Sequence, residues 1–147
     1  MQRKIKFEGK DLVFDLPTEA DGSVFDEIFR DREYRVIEDD LRSADVVLDL
    51  GAHKGMFSVY ASALGAGKIY AFEPDGDNFS GLKDHLKMNG VRNVKAKNVA
   101  VAGERGLRKF ALSCDSHNHS LLGIGGVSGS AATDVDSSEF AEVQCTD

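Results

Sequence analysis

Four residues stand at a spacing that can hold a small polar ligand: Asp49, Gly51, Gly55 and Glu73. The first three lie in Asp49-Leu50-Gly51-Ala52-His53-Lys54-Gly55, and Glu73 ends the next apolar run. Gly51 lacks a side chain, so a ligand can approach its backbone closely, and Gly55 lets the chain turn tightly into a helix. In nucleotide-binding sheets, a carboxylate one strand–helix–strand unit after such a loop accepts hydrogen bonds from ribose hydroxyls. Charge-assisted bonds of that kind contribute roughly 1.5–3 kcal/mol each. A glycine turn can serve only to turn the chain, and a Glu at a strand end can be solvated. The two together, at this separation, point to ligand binding.

The chemistry of the loop narrows the ligand. The dinucleotide fingerprint G-x-G-x-x-G cradles a pyrophosphate with three glycines. This loop reads G-x-x-x-G, with His53 in place of a middle glycine. An acid two residues before Gly51 suits a dianionic pyrophosphate poorly. It suits a ligand with an ammonium, a sulfonium and no phosphate. These features favour S-adenosylmethionine over NAD.

Several elements must position these residues. Val46-Val47-Leu48-Asp49-Leu50 is a near-continuous apolar run, the pattern of a parallel strand covered on both faces. Phe57, Tyr60, Ala61 and Leu64 recur at helical spacing, and Gly65-Ala66-Gly67 ends that helix. Lys68-Ile69-Tyr70-Ala71-Phe72-Glu73 is a second buried strand stopped by Pro74. Residues 75–89 form a helix with Phe79, Leu82 and Leu86 on one face and Gly90 at its C-terminus, and His85 reads as a surface residue of it. Residues 94–101 make a third strand. Strand, helix, strand, helix, strand implies a parallel sheet with right-handed crossovers. Upstream, residues 3–16 alternate as a strand pair around Glu8-Gly9-Lys10-Asp11, and a short helix is expected over 23–30, with Ser23 and Asp26 as its capping pair. Residues 31–43 are a charged connector. Downstream, residues 107–112 and 140–145 alternate and are expected to pair antiparallel around a Gly/Ser-rich loop.

Other candidates are weaker. His117-Asn118-His119, near Cys114 and Asp115, lacks the three or four spaced ligands of a zinc site, so no metal is expected. Cys114 and Cys145 form no disulfide framework and read as reduced thiols in a cytoplasmic protein. A net charge of −7 argues against broad nucleic-acid binding. The 147 residues are 41% hydrophobic and 29% charged, as in an ordinary globular chain, and no apolar stretch approaches the length needed to span a bilayer.

The segments Val46–Gly55, Tyr70-Ala71-Phe72-Glu73-Pro74-Asp75, Asn78-Phe79, Leu82-Lys83 and Asn89-Gly90 resemble the FkbM family of class I methyltransferases. Val24–Phe29, Arg32-Glu33-Tyr34 and Asn98-Val99-Ala100-Val101 are similar to that family as well. The resemblance covers about residues 23–112, and Ala71–Pro74 is its most specific part. It implies a Rossmann-like three-layer α/β/α fold with a mostly parallel sheet over residues 44–147, with residues 1–43 as a hairpin and helix lead-in. It implies methyl transfer from S-adenosylmethionine, often to a hydroxyl oxygen of a small molecule or glycan. Carried over by position, Asp49, Gly51 and Gly55 hold the methionine portion, Ala52 between them is also cofactor-binding, and Glu73 holds the ribose. Pro74 and Asp75 shape the adenine side, and Asn98, Val99 or Ala100 close over the adenine. Val99 stands where many class I enzymes carry an acid. His53 departs from the family's Asn, and is read either as a cofactor-positioning residue or as a helix-start residue without a chemical role.

The family continues into a fourth strand with a second acidic motif, which this chain does not include. The 45–50 strand would then have an open edge, a hazard for self-association. The chain is expected to be a fragment of a longer protein, or to have that edge covered. Two other readings stand beside the O-methyltransferase: an RNA methyltransferase, disfavoured by the acidic balance, and a cofactor-binding domain without turnover. No catalytic base is nominated.

Overall fold

The computed structural model describes residues 1–103, 105–111, 120–121 and 140–146. The chain opens with an antiparallel hairpin, β1 (Gln2–Phe7) and β2 (Lys10–Asp15), in the register Ile5↔Leu12. Glu8 and Gly9 both take positive φ, 49° and 72°, which is the two-residue turn whose twist matches paired strands. Phe7, Leu12 and Phe14 face inward.

Helix α1 (Glu19–Phe25) starts earlier than the sequence pattern suggested. Its capping box is Thr18 with Asp21, rather than Ser23 with Asp26. The Thr18 hydroxyl accepts from the Asp21 backbone N–H, and the Asp21 carboxylate accepts from the Thr18 N–H. The helix runs on as a π-helical turn, Asp26–Arg30. The charged connector forms a 3-10 helix, Glu33–Ile37, and helix α2 (Glu38–Ser43).

The Rossmann-like α/β unit follows: β3 (Val46–Leu50), α3 (Met56–Leu64), β4 (Lys68–Phe72), α4 (Gly76–Met88) and β5 (Val94–Lys97). The strands are parallel in the order β3-β4-β5, with Asp49 beside Ala71 and Ala71 beside Ala96. Two successive right-handed crossovers in one direction place α3 and α4 on the same face. On that face Val47 and Ile69 pack with Met56 and Val59, and Ala71 with Leu82. The opposite face of β3 is open. Val46, Leu48 and Leu50 are 53%, 61% and 58% exposed, so the expected burial on both faces does not hold for this strand. The helices among the described residues cover one side of the sheet.

The expected third strand divides. After β5 the chain leaves this sheet, and Ala100–Val101 forms β6, parallel to β9 (Phe140–Thr146). Strand β7 (Gly106–Ala111) pairs antiparallel with β9, as the alternation predicts, placing Leu107 opposite Gln144. The short β8 (Ser120–Leu121) joins the other side of β7. The His117-Asn118-His119 group, Cys114 and most of the Gly/Ser-rich loop lie outside the described residues. No helix among the described residues is long and apolar enough to cross a membrane.

The lead-in and the α/β unit share one core. Phe7 stacks on Tyr60 at 4.9 Å, and Phe14 meets Phe29 at 5.0 Å. Helix α4 also closes the outer edge of β2 with side chains. The Val13 N–H donates to Asn89 Oδ1 at 2.8 Å, and Asn89 Nδ2 donates to the Val13 carbonyl at 2.8 Å. The Asp15 N–H donates to His85 Nε2 at 3.0 Å. An edge strand capped in this way cannot template another chain. His85 is 1% exposed, which corrects its reading as a surface residue; its ring faces the hairpin.

Candidate functional site

The site is built where β3 and β4 end. Ligands of open α/β sheets bind outside these carboxyl ends. The chain leaves β3 through Gly51 at φ +77°, and the Gly51 and Ala52 N–H groups both donate to the Phe72 carbonyl, at 2.9 and 3.0 Å. The space above Gly51 is open, since a Cβ there would meet nothing within 4 Å. His53 also takes a positive φ, 49°, and its backbone N–H donates to Glu73 Oε2 at 2.7 Å. The Asp75 N–H donates to Glu73 Oε1 at 2.9 Å. Each Glu73 oxygen thus has one backbone donor and a further lone pair. That is the acceptor set two vicinal hydroxyls require.

Asp49 and Glu73 are buried carboxylates, 8% and 4% exposed. Burial pushes the Asp49 carboxyl above its ordinary value, against the opposing hydrogen bond donated by Ser58 Oγ at 2.6 Å. Glu73 is raised too. Burial is the main cause, the Asp75 and His53 N–H groups oppose it, and the charges of Asp75 and Asp49 add to it. Two carboxylates that repel each other in a desolvated site favour a cationic, hydroxyl-bearing ligand. Lys54 offers no counter-charge, because its Nζ is held by Asp21 at 2.7 and 2.8 Å. The loop therefore lacks the cationic, glycine-rich cradle of a pyrophosphate.

The loop is braced from behind. Gly55, at φ +76°, lies so close to α4 that a Cβ would sit 2.8 Å from Leu82 Cγ. His85 Nδ1 lies 2.7 Å from the Lys54 carbonyl. A carbonyl can only accept, so Nδ1 is the nitrogen that donates to it. The Lys54–Asp21 pair ties the loop to the capping box of α1, and Asp21 is fully buried.

The structure brings together most of the residues named from the sequence. Asp49 lies near the end of β3, Gly51, Ala52, His53 and Gly55 follow it in the loop, and Glu73, Pro74 and Asp75 follow β4. Asn98 joins them through its side-chain amide, which donates to the carbonyls of Glu73 at 2.8 Å and Pro74 at 3.0 Å. Val99 and Ala100 lie where the chain departs into the second sheet, with Ala100 buried in β6. Of His53, the structure uses the backbone N–H on Glu73. Ser58, Asp21 and His85 join the site through contacts that the loop motif does not name. A serine on an otherwise apolar helix face was a readable signal for Ser58. No local signal marked Asp21 or His85, whose partners are distant in sequence. Among the described residues no group of three or more His, Cys, Asp or Glu could hold a metal.

The chain is 37% identical over 97 residues to the 31-O-demethyl-FK506 methyltransferase FkbM of Streptomyces tacrolimicus, covering 63% of this chain and 36% of that protein. It is 29% identical over 68 residues to a ribosomal protein L11 methyltransferase of a Thermoanaerobacter species, covering 46% of this chain and 22% of that protein. Among solved structures, a precorrin-6y C5,15-methyltransferase from Geobacter metallireducens aligns with 50% of this chain and 40% of its own, at 30% identity and a TM-score of 0.41. No protein-family model matches the chain. The chain spans about a third or less of the length of these curated relatives. Several of the proteins it is similar to are methyltransferases.

Proposed function

We propose that the site binds S-adenosylmethionine and that the protein is a class I methyltransferase of the FkbM family. The acceptor we propose is an oxygen of a small molecule or glycan. One observation carries the cofactor reading: two buried, mutually repelling carboxylates, Asp49 and Glu73, flank an open glycine turn that lacks a phosphate-binding cation. The resemblance of Ala71–Pro74 to the family, and the similarity to the Streptomyces FkbM protein, support the acceptor reading.

In this reading Glu73 accepts from the ribose hydroxyls, and Asp49 lies toward the ammonium of the methionine portion. Gly51 and Ala52 admit the ligand close to the backbone. Pro74, Asp75 and Asn98 shape the adenine side, with Val99 and Ala100 beyond them. The cofactor supplies a sulfonium methyl as electrophile. The chain's own part is to hold the ligand in one orientation, so that an acceptor oxygen meets the methyl in line.

Calorimetric titration with S-adenosylmethionine and with NAD tests the proposal. S-adenosylmethionine is expected to bind more tightly. Glu73→Gln and Asp49→Asn are each expected to weaken it by about 10- to 150-fold, the loss of one charge-assisted hydrogen bond. Tighter binding of NAD, or binding of S-adenosylmethionine that survives both substitutions, would overturn the assignment.

A further inference from the structure

The 3-10 helix Glu33–Ile37 packs an aromatic ring on the first turn of α3, the helix that the Gly51–Gly55 loop enters. Arg32 at the entry of the 3-10 helix takes a left-handed conformation, φ 53°, and its guanidinium is paired with Glu38. Glu38 is itself buried and accepts from the Tyr60 hydroxyl at 2.6 Å. Two residues on from Arg32, the Tyr34 ring packs on Phe57, with centroids 4.9 Å apart and planes tilted by 53°. Phe57 is the second residue of α3, directly after the Gly51–Gly55 loop. Tyr34 is nonetheless 39% exposed, so part of its ring remains available beside Phe57.

Its surroundings are acidic. Burial raises the Tyr34 hydroxyl above its ordinary value, and the charges of Asp49, Glu27 and Glu33, in that order, raise it further. Asp49, the strand-end carboxylate of the site, is tied to the same turn of α3, because its Oδ2 accepts from Ser58, the neighbour of Phe57. A half-exposed aromatic ring in a negative field attracts a cation over its face.

We propose that the Tyr34 ring walls the methionine end of the site and receives the sulfonium of S-adenosylmethionine by a cation–π contact. The inference rests on the cofactor reading above and adds a residue that discriminates the charge state of the ligand. The demethylated product, S-adenosylhomocysteine, has a neutral thioether at the same position. Tyr34 then favours the methyl donor over the spent product through the ring face, and its hydroxyl is dispensable.

Calorimetric titration of the chain with S-adenosylmethionine and with S-adenosylhomocysteine tests this. Tyr34→Leu is expected to weaken the sulfonium ligand about 3- to 30-fold, and the thioether less than about 2-fold. Tyr34→Phe is expected to match the wild type for both. A misfolded fraction lowers both apparent stoichiometries together, so the ratio of affinities separates packing damage from recognition. Equal weakening of the two ligands, or no weakening of either, overturns the proposal while leaving the cofactor assignment intact. A Tyr34→Phe variant that loses the sulfonium ligand as Tyr34→Leu does also overturns it, because the hydroxyl would then be the contact. Failure of the wild type to bind either ligand overturns the cofactor assignment itself.

Discussion

Replacing Lys54 by Met probes the brace that joins the loop to the lead-in. Asp21 is fully buried and the Lys54 side chain is 14% exposed, with Nζ on both carboxylate oxygens at 2.7 and 2.8 Å. Breaking a buried pair by removing one partner costs about 3–5 kcal/mol, because the remaining charge stays desolvated. Here the Thr18 N–H and hydroxyl still donate to Asp21, at 3.0 and 2.7 Å, so the low end, about 3 kcal/mol, is expected. For a chain of this length that corresponds to a fall of roughly 10 °C in Tm. The double variant Asp21→Leu with Lys54→Met removes both charges and the capping box. It should sit only about 1 kcal/mol below the wild type, the cost of the lost cap.

The same pair has a pH signature. Burial pushes the Asp21 carboxyl up, but the hydrogen bonds from Lys54 and Thr18 outweigh it and hold the carboxyl below its ordinary 3.8. A folded-state pKa below the unfolded one stabilises the fold above that unfolded value, and the gain is lost as pH falls through the folded pKa. The gap between wild type and Lys54→Met should therefore be full at neutral pH and narrow below about pH 4. Urea titrations at pH 7 and at acidic pH measure both effects. A loss under about 1 kcal/mol at pH 7, or a double variant as unstable as the sum of the singles, would refute the brace.

Two further outcomes follow from the site. Gly55→Ala should destabilise by about 2–4 kcal/mol, combining the left-handed backbone with the clash against Leu82. Gly51→Ala, with open space around it, should cost only about 1–2 kcal/mol in a thermal melt; a cost equal to that of Gly55→Ala contradicts the packing described. Binding of S-adenosylmethionine should weaken as pH falls through the raised pKa values of Asp49 and Glu73, because the ligand's donors need the carboxylates ionised. The ligand-free fold moves the other way. A carboxyl whose folded-state pKa is raised gains stability as pH falls through that pKa, so affinity and these two contributions to stability should show opposite acid limbs. Calorimetry and melts over the same pH series check this, and an affinity flat down to pH 4 counts against both residues as ligands.

The features legible in the sequence are those set by contiguous residues. Glu8-Gly9-Lys10-Asp11 carries turn chemistry, of which the turn itself takes Glu8-Gly9; Pro74 stops the run of β4; and the alternation of residues 107–112 and 140–145 points to the strand pair that forms. The Gly51–Gly55 loop and the strand-end acid Glu73 were readable because φ/ψ preference and periodicity are local quantities. Which side chain each of these residues meets is not local. Lys54 finds Asp21 at a sequence separation of 33, and His85 reaches the Lys54 carbonyl at 31 and Asp15 at 70. The division of residues 94–101 is equally remote, since Ala100 leaves the first sheet to pair with Cys145. The polar ring of His85 implies exposure, and the apolar run of β3 implies burial on both faces. Both implications fail because exposure depends on what the rest of the chain lays against a surface, and only the folded arrangement decides that.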